Sequence, residues 1–216
     1  MAQSEVTLDI IIGYDVYNSV AQYREVMLFM DMSKRAQNQQ LRTALYEEMK
    51  YWRLFEADFT SYLAKIAYLN YWGGTLAGLA SHFAINEAIK TRIADQQNLY
   101  HLLFNQSKLK KELNLKQTVE VFKQSLATAL DSVYLDNHAD IYDAEHDSMY
   151  VSDITDAKTF RLNVKNSFIK WLEAREKLGL AAHMPGHPNG SDWSRITAHF
   201  INELSELTIN TSTYYQ

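Results

Sequence analysis

Cysteine is absent from the chain of 216 residues, and proline and glycine are scarce, with two and seven residues. Without cysteine there is no disulfide bond, no thiol nucleophile and no cysteine-ligated zinc site. So few prolines and glycines leave little material for turns. The composition therefore predicts a few long elements, which means helices.

Long hydrophobic runs and excess positive charge are absent as well. No run of eighteen apolar residues occurs, so we expect no membrane-spanning helix. The net charge of −5 and the lack of basic clusters with interleaved aromatics argue against a nucleic-acid groove. No Gly-x-Ser-x-Gly elbow and no phosphate-binding glycine loop is present, so the sequence predicts neither catalytic residues nor a cofactor.

The first five residues are polar and contain no signal-like segment. Two explanations stay open: a cytoplasmic protein with its native start, or an exported protein whose signal has been removed.

Apolar residues recur at helical spacing along most of the chain, which predicts amphipathic helices. One stripe is short, and a longer one predicts a helix from about residue 34 to residue 72. The short stripe comprises Val16, Val20, Tyr23, Met27 and Met30, and the long one Leu41, Leu45, Met49, Trp52, Phe55, Phe59, Tyr62 and Ile66.

The pair Gly73-Gly74 predicts a reversal, because glycine accepts the positive φ of a helix C-cap. Thr75 is the expected N-cap of the next helix, so residues 34–104 form a helical hairpin. The apolar residues assigned to that second helix are Leu76, Leu79, Phe83, Ile93 and Leu103.

The second half repeats this order, with a tryptophan-bearing helix, a breaker between residues 182 and 192, and a closing helix. Its two stripes are Val119, Phe122, Leu126, Leu130 and Val133, and then Phe160, Val164, Phe168, Trp171, Arg175 and Leu178. We therefore predict an all-α bundle of about six helices from two related units, residues 1–104 and 115–216. The alternative is that two amphipathic hairpins resemble each other by chance.

Residues 35–104 resemble the lysozyme-inhibitor LprI N-terminal-like family. The matching positions are Leu41, Tyr46, Trp52, Gly73-Gly74-Thr75, Thr91-Arg92 and Leu99. The family's cysteine pair is missing, and we expect Phe59 and Phe83, or apolar residues near them, to fill that space. The resemblance implies an exported protein, periplasmic or secreted, that inhibits lysozyme, although a shared fold does not carry a shared site.

Two charged residues interrupt the apolar stripes. The family often has arginine four residues after its tryptophan; here Glu56 follows Trp52 and Arg175 follows Trp171. A buried charge is costly unless it is paired. We therefore expect Glu56 and Arg175 to be paired structurally rather than to be catalytic. The adjacent Glu47 and Glu48 point about 100° apart on a helix and cannot share a substrate.

The segment from residue 131 to residue 156 holds eight acidic residues and no lysine or arginine. Asp143, Glu145 and Asp147 alternate as calcium-loop ligands do, but Ser148 and Ile154 occupy the positions that need glycine and glutamate, which excludes an EF-hand. A solvated acidic loop is the default expectation, and a weak surface cation site is the alternative. With Asp140, these three acidic residues are candidates for binding a basic partner.

The histidines suggest an alternative function, a metal-assisted hydrolase. His138 and His146 lie in the acidic segment and would serve a metal-assisted hydrolase. His183 and His187 flank Met-Pro-Gly within the second breaker loop, where a metal site is less expected. His82 and His199 lie on helices near phenylalanines and are expected to be partly buried packing residues.

Aromatic residues cluster before the glycine turn, at Tyr62, Tyr68, Tyr71 and Trp72. Not all four rings can face one core. Tyr68, Tyr71 and Trp72 are therefore candidates for a recognition surface; packing against the second unit is the equal alternative. The leading hypothesis is a non-catalytic binding module, an exported inhibitor of basic, lysozyme-like cell-wall hydrolases.

Overall fold

The computed structural model describes the backbone of residues 2–70, 74–105, 113–137, 144–182 and 192–213. Within these ranges it describes all side chains except those of 2–12, 14, 15, 74, 75, 105, 134–137 and 144–152. Six helices follow one another: α1 Ala2–Arg35, α2 Gln39–Asn70, α3 Gly74–Asn105, α4 Leu115–Asn137, α5 Ala144–Ala181 and α6 Asp192–Thr213. The predicted all-α bundle of about six helices is confirmed, and the described part contains no strand.

The break between α1 and α2 corrects the prediction of a helix starting near residue 34. The side chain of Asn38 accepts a hydrogen bond of 2.7 Å from the backbone amide of Leu41, the geometry of a helix N-cap. Asn38 is therefore the start signal that apolar spacing alone did not show.

The predicted reversal after α2 is present, since α2 ends at Asn70 and α3 begins at Gly74. Gly73 lies outside the described residues. Thr75 is the second residue of α3 and lies inside the helix. The prediction that Thr75 is the N-cap is therefore wrong. The two helices pack along each other as the predicted hairpin.

Among the described residues, the most extensive helix–helix packing is between α2 and α5, and further extensive interfaces join α4 to α6 and α1 to α3. Helices from both predicted units thus contribute to one bundle. The origin of the two units by duplication stays a prediction.

Two hydrophobic clusters fill the bundle. The larger contains an aromatic group in which Trp52, Phe55, Phe168, Trp171 and Phe200 lie with ring centroids about 5–6 Å apart. Such offset and edge-to-face pairs add stability beyond the area they bury. The smaller cluster brings together residues of five helices, among them Met32, Leu45, Leu99, Leu178 and Ile196.

Phe59 belongs to the larger cluster, where its ring stacks on Phe55 and contacts Phe122. Phe83 is exposed at the edge of the bundle. The expectation that Phe83 would help fill the space of the missing cysteine pair is therefore wrong.

The apolar stripe of α1 faces solvent. Its five residues, Val16, Val20, Tyr23, Met27 and Met30, are between 44% and 65% exposed. The helix instead buries a face made of Ala21, Glu25, Phe29 and Met32. The helix α3 carries all five apolar residues assigned to it, but Leu76 and Phe83 are exposed while Ala84 and Ala88 are buried.

Most of the acidic segment is helical, which corrects the expected loop. Its first residues belong to α4, and α5 takes over at Ala144. Residues 138–143 lie outside the described part. Among the described helices, none combines the length and the hydropathy needed to cross a membrane.

Candidate functional site: a buried layer of charges

Five charged side chains form a layer inside the bundle, each with 3% or less of its surface exposed. They are Glu25 on α1, Glu48 on α2, Arg92 and Asp95 on α3, and Arg175 on α5. The layer separates the two hydrophobic clusters. On α2, for example, Glu48 lies between Leu45 of the smaller cluster and Trp52 of the larger one.

Arg92 joins α3 to α2 through a bidentate ion pair. Its Nη2 and Nη1 donate to the two oxygens of Glu48 at 2.8 and 3.0 Å, and Nη1 also donates to Asp95 Oδ2 at 2.7 Å. The guanidinium carbon lies 4.5 Å from the ring centroid of Trp52, a cation–π distance. The N–H groups of this buried cation thus meet carboxylates, and an indole ring lies over the guanidinium.

Arg175 closes the layer from α5. Its Nη2 donates to Asp95 Oδ1 at 2.6 Å, and its Nη1 donates to Asp95 Oδ2 at 3.1 Å and to Glu48 Oε1 at 3.2 Å. The predicted structural pairing of Arg175 is confirmed. Glu56 is paired as well, since its Oε2 lies 2.6 Å from Arg53 Nη1.

Glu48 is the best-supported anion of the layer. Besides both arginines, the indole of Trp171 donates to its Oε1 at 2.9 Å. Although burial raises the pKa of Glu48, the charges of Arg92 and Arg175 and the hydrogen bonds lower it to about 2. Glu48 is therefore ionised at neutral pH.

Glu25 is held more weakly. Its Oε1 receives only long contacts, 3.4 Å from Arg92 Nε and 3.5 Å from Gln96 Nε2. Its Oε2 lies 2.7 Å from Arg53 Nη2, although no hydrogen bond with acceptable geometry reaches that atom in the described part. Burial raises the pKa of Glu25 above its usual value, against the opposing charges of Arg92 and Arg53. Burial also raises the pKa of Asp95, against Arg175 and Arg92.

This arrangement suits mechanical support better than catalysis. A general acid or base needs to reach a reacting group, whereas these carboxylates face guanidinium groups inside the protein. Asp95 lines a cleft of about 460 Å³ between α3 and α6 that also contacts His199 and Glu203, although its side chain is buried. Even there, both oxygens of Asp95 are bound by arginine.

The structure places three of the predicted structural residues at this layer: Arg175 within it, and Trp52 and Trp171 against it. Of the predicted binding residues, Tyr68 is exposed, with the ammonium of Lys65 5.4 Å from its ring centroid. Tyr71, Trp72, Asp140 and Asp143 lie outside the described residues. Glu145 and Asp147 are on α5, but the structure does not describe their side chains.

Sequence reasoning missed Glu25 and Asp95. It considered Glu48 only beside Glu47, as a pair that cannot share a substrate, and Arg92 only as a family match. A signal for Glu48 was present: Leu45, Glu48 and Trp52 follow steps of three and four residues. Met49 also fits the helical spacing, with steps of four residues from Leu45 and three to Trp52. Because Met49 is apolar, the pattern selects it instead of Glu48. The structure buries Glu48 and leaves Met49 partly buried.

Two of the six histidines considered above, His82 and His199, have described side chains. His82 and His199 are partly buried, as predicted. His138, His183 and His187 lie outside the described residues, and the side chain of His146 is not described. Within the described part, no three histidine or acidic side chains are arranged to hold a metal ion.

A second candidate site is the outer surface of α1. We call the five exposed residues Val16, Val20, Tyr23, Met27 and Met30 the α1 outer face. Tyr17 and Val26 beside it are exposed too. Between α1 and α3 runs a mainly apolar groove of about 440 Å³, lined by Val16, Tyr17, Val20, Ala21, Arg24 and residues of α3 that include Ile93 and Gln97.

Comparison of the chain with protein families, with curated proteins and with solved structures finds no match. The resemblance to the lysozyme-inhibitor family therefore depends on the residues quoted for it above.

Proposed function

We propose that the chain is a non-catalytic protein-binding module. The observation that carries the proposal is the state of the charged layer: its carboxylates and guanidinium groups are engaged with one another and buried. A buried network of this kind holds helices in one arrangement and supplies no group to a substrate. Other molecules would therefore bind at the surface of the bundle.

The partner class we propose is a basic, lysozyme-like cell-wall hydrolase, met outside the cytoplasm. Two features support it: the family resemblance of residues 35–104 and the net charge of −5. Opposite net charges accelerate encounter and help to select the partner. Exposed charges are screened over about 8 Å at physiological ionic strength, so binding should weaken as salt is added.

Isothermal titration of the full chain with lysozyme at about 20 and 150 mM salt tests this proposal, with lysozyme activity followed in parallel. We expect binding at low salt, a weaker affinity at 150 mM, and inhibition that follows occupancy. A basic protein of similar size without hydrolase activity, such as cytochrome c, is the control for attraction by charge alone. Absence of lysozyme binding at low salt, or equal binding of the control, would end the lysozyme assignment.

A further inference from the structure

The α1 outer face has the spacing of a coiled-coil seam. Its residues follow one another in steps of four, three, four and three, a repeat of 3.5 residues. Helices with this repeat pair by packing the two apolar positions of each heptad against a facing helix. Here the seam extends over about two heptads, and none of its five residues is charged.

The contacts of Glu25 with the layer of charges keep this seam on the outer side of α1. Glu25 lies on the opposite side of α1, within 3.4 Å of Arg92 and 2.7 Å of Arg53. Turning the seam inward would take a buried carboxylate away from both arginines and would expose Phe29 and Met32. The seam therefore remains available to another molecule.

We propose that the α1 outer face pairs with the same face of a second copy, with the two α1 helices antiparallel about a twofold axis between Val20 and Tyr23. This inference concerns assembly and goes beyond the proposed function. In this register Tyr23 of the partner subunit lies opposite Val20, beside the groove between α1 and α3. That groove is mainly apolar, with Arg24 and Lys90 also in its lining, and it gives the large tyrosine ring a surface to pack on.

The size of the patch supports a second copy. Seven large apolar side chains, 39–65% exposed, present several hundred Å². A specific interface buries about 800 Å² per partner, and the rim of the groove on α3 adds surface to the seam. A twofold pairing also needs a self-complementary patch. A seam that is uncharged and has the same spacing throughout meets that condition.

The antiparallel direction follows from charge. The last turn of α1 carries Lys34 and Arg35, and the carbonyl end of a helix has a partial negative charge. Arg35 is paired with Asp31, so the helix dipole decides the direction. A parallel pair would bring like partial charges together at both ends. An antiparallel pair places them at opposite ends and aligns the helix dipoles favourably.

Sedimentation equilibrium of the full chain across a concentration series tests the proposal. We expect a concentration-dependent species of twice the 25.0 kDa chain mass. The double variant Val20→Gln/Met27→Gln should raise the dimer dissociation constant at least tenfold. The control Leu162→Gln/Leu180→Gln, at two exposed leucines on α5, should leave it unchanged. Circular dichroism of each variant verifies the helical fold.

Cross-linking adds a test of geometry, because the chain has no cysteine of its own. Tyr23→Cys should form a covalent dimer with a short bis-maleimide, and Leu162→Cys should not. A monomer at every concentration, or a dimer that the α1 variants leave unchanged, would overturn the inference. Lysozyme titration reports separately on the proposed function: a monomer that binds lysozyme defeats only the dimer, and a dimer that does not bind lysozyme defeats only the proposed function.

Discussion

Trp171 donates a hydrogen bond of 2.9 Å from its indole nitrogen to Glu48 Oε1. Trp52 lies 6.0 Å away, edge to face, and is equally buried, but its indole nitrogen has no hydrogen-bond partner in the described part of the chain. The two rings share one core, and each also lies near an arginine of the layer, Trp52 at 4.5 Å from Arg92 and Trp171 at 5.9 Å from Arg175. The hydrogen bond to Glu48 is made by Trp171 alone. They form a matched pair for measuring what the charged layer contributes.

Replacing each tryptophan by phenylalanine removes similar apolar area. Trp171→Phe also removes a donor to a buried carboxylate, and a hydrogen bond to a charged group contributes about 1.5–3 kcal/mol. We therefore expect Trp171→Phe to lower the free energy of unfolding by about that much more than Trp52→Phe. Urea denaturation of both variants measures the difference. Equal losses would contradict a stabilising role for this bond.

Arg175→Met leaves Asp95 and Glu48 buried with one cation fewer. Removing one partner of a buried ion pair typically costs about 3–5 kcal/mol, and we expect a loss of unfolding free energy in this range. The control is Arg35→Met, because Arg35 pairs with Asp31 at the surface and such pairs contribute about 0–1 kcal/mol. If the two variants unfold at the same urea concentration, the layer does not support the fold.

The pH dependence of stability should separate Glu25 from Glu48. The folded state raises the pKa of Glu25 above 4.5, so its contribution is complete below pH 4.5 and is lost as pH rises through the folded pKa. Glu48 behaves oppositely: with a pKa of about 2, its contribution is present above pH 4.5 and is lost as pH falls towards 2.

The substitution Glu25→Gln keeps the shape of the side chain and removes its titratable carboxyl group. We expect the free energy of unfolding of the parent, relative to this variant, to decrease between pH 4.5 and pH 8. Asp95 titrates in both proteins, so its contribution largely cancels in the difference. Urea denaturation of both proteins at several pH values measures this difference in the free energy of unfolding. A difference that is flat or increases with pH would contradict the raised pKa of Glu25.

Gly179 should tolerate no side chain. A Cβ atom there would lie 2.6 Å from the indole nitrogen of Trp193, closer than van der Waals contact permits. We expect Gly179→Ala to destabilise the fold by about 1–3 kcal/mol. Gly78→Ala on α3 is the control, since a Cβ there meets nothing within 4 Å and should stabilise the helix by about 0.5–1 kcal/mol. Thermal unfolding that ranks the two variants the other way would refute this contact.

Helical spacing predicted the fold class and most of α2, because α2 packs aromatic and aliphatic side chains at nearly every interior position. It predicted a helix at α1 but did not reveal the interior face, which contains Ala21 and Glu25. Small and charged residues leave no hydrophobic signal, so the exposed valines and methionines were the only stripe to be found. Which side of α1 faces inward is decided by Arg92 and Arg53, distant in sequence.

The candidate site escaped prediction for a related reason. Glu48, Asp95 and Arg175 come from three helices, and no local pattern says that they meet. The expectation that Arg175 is paired followed from the cost of burying a charge, and it is confirmed. Its partners could not be named, because they depend on how α5 crosses α2 and α3.

The layer also has a consequence for synthesis on the ribosome. Arg175 bonds to residues that precede it by 80 and 127 positions. While the first three helices emerge, Glu48 and Asp95 have Arg92 but not Arg175. Contacts between distant segments form late and slow the folding of a chain. We therefore expect the first half to remain incompletely packed, and open to chaperones, until α5 has left the exit tunnel.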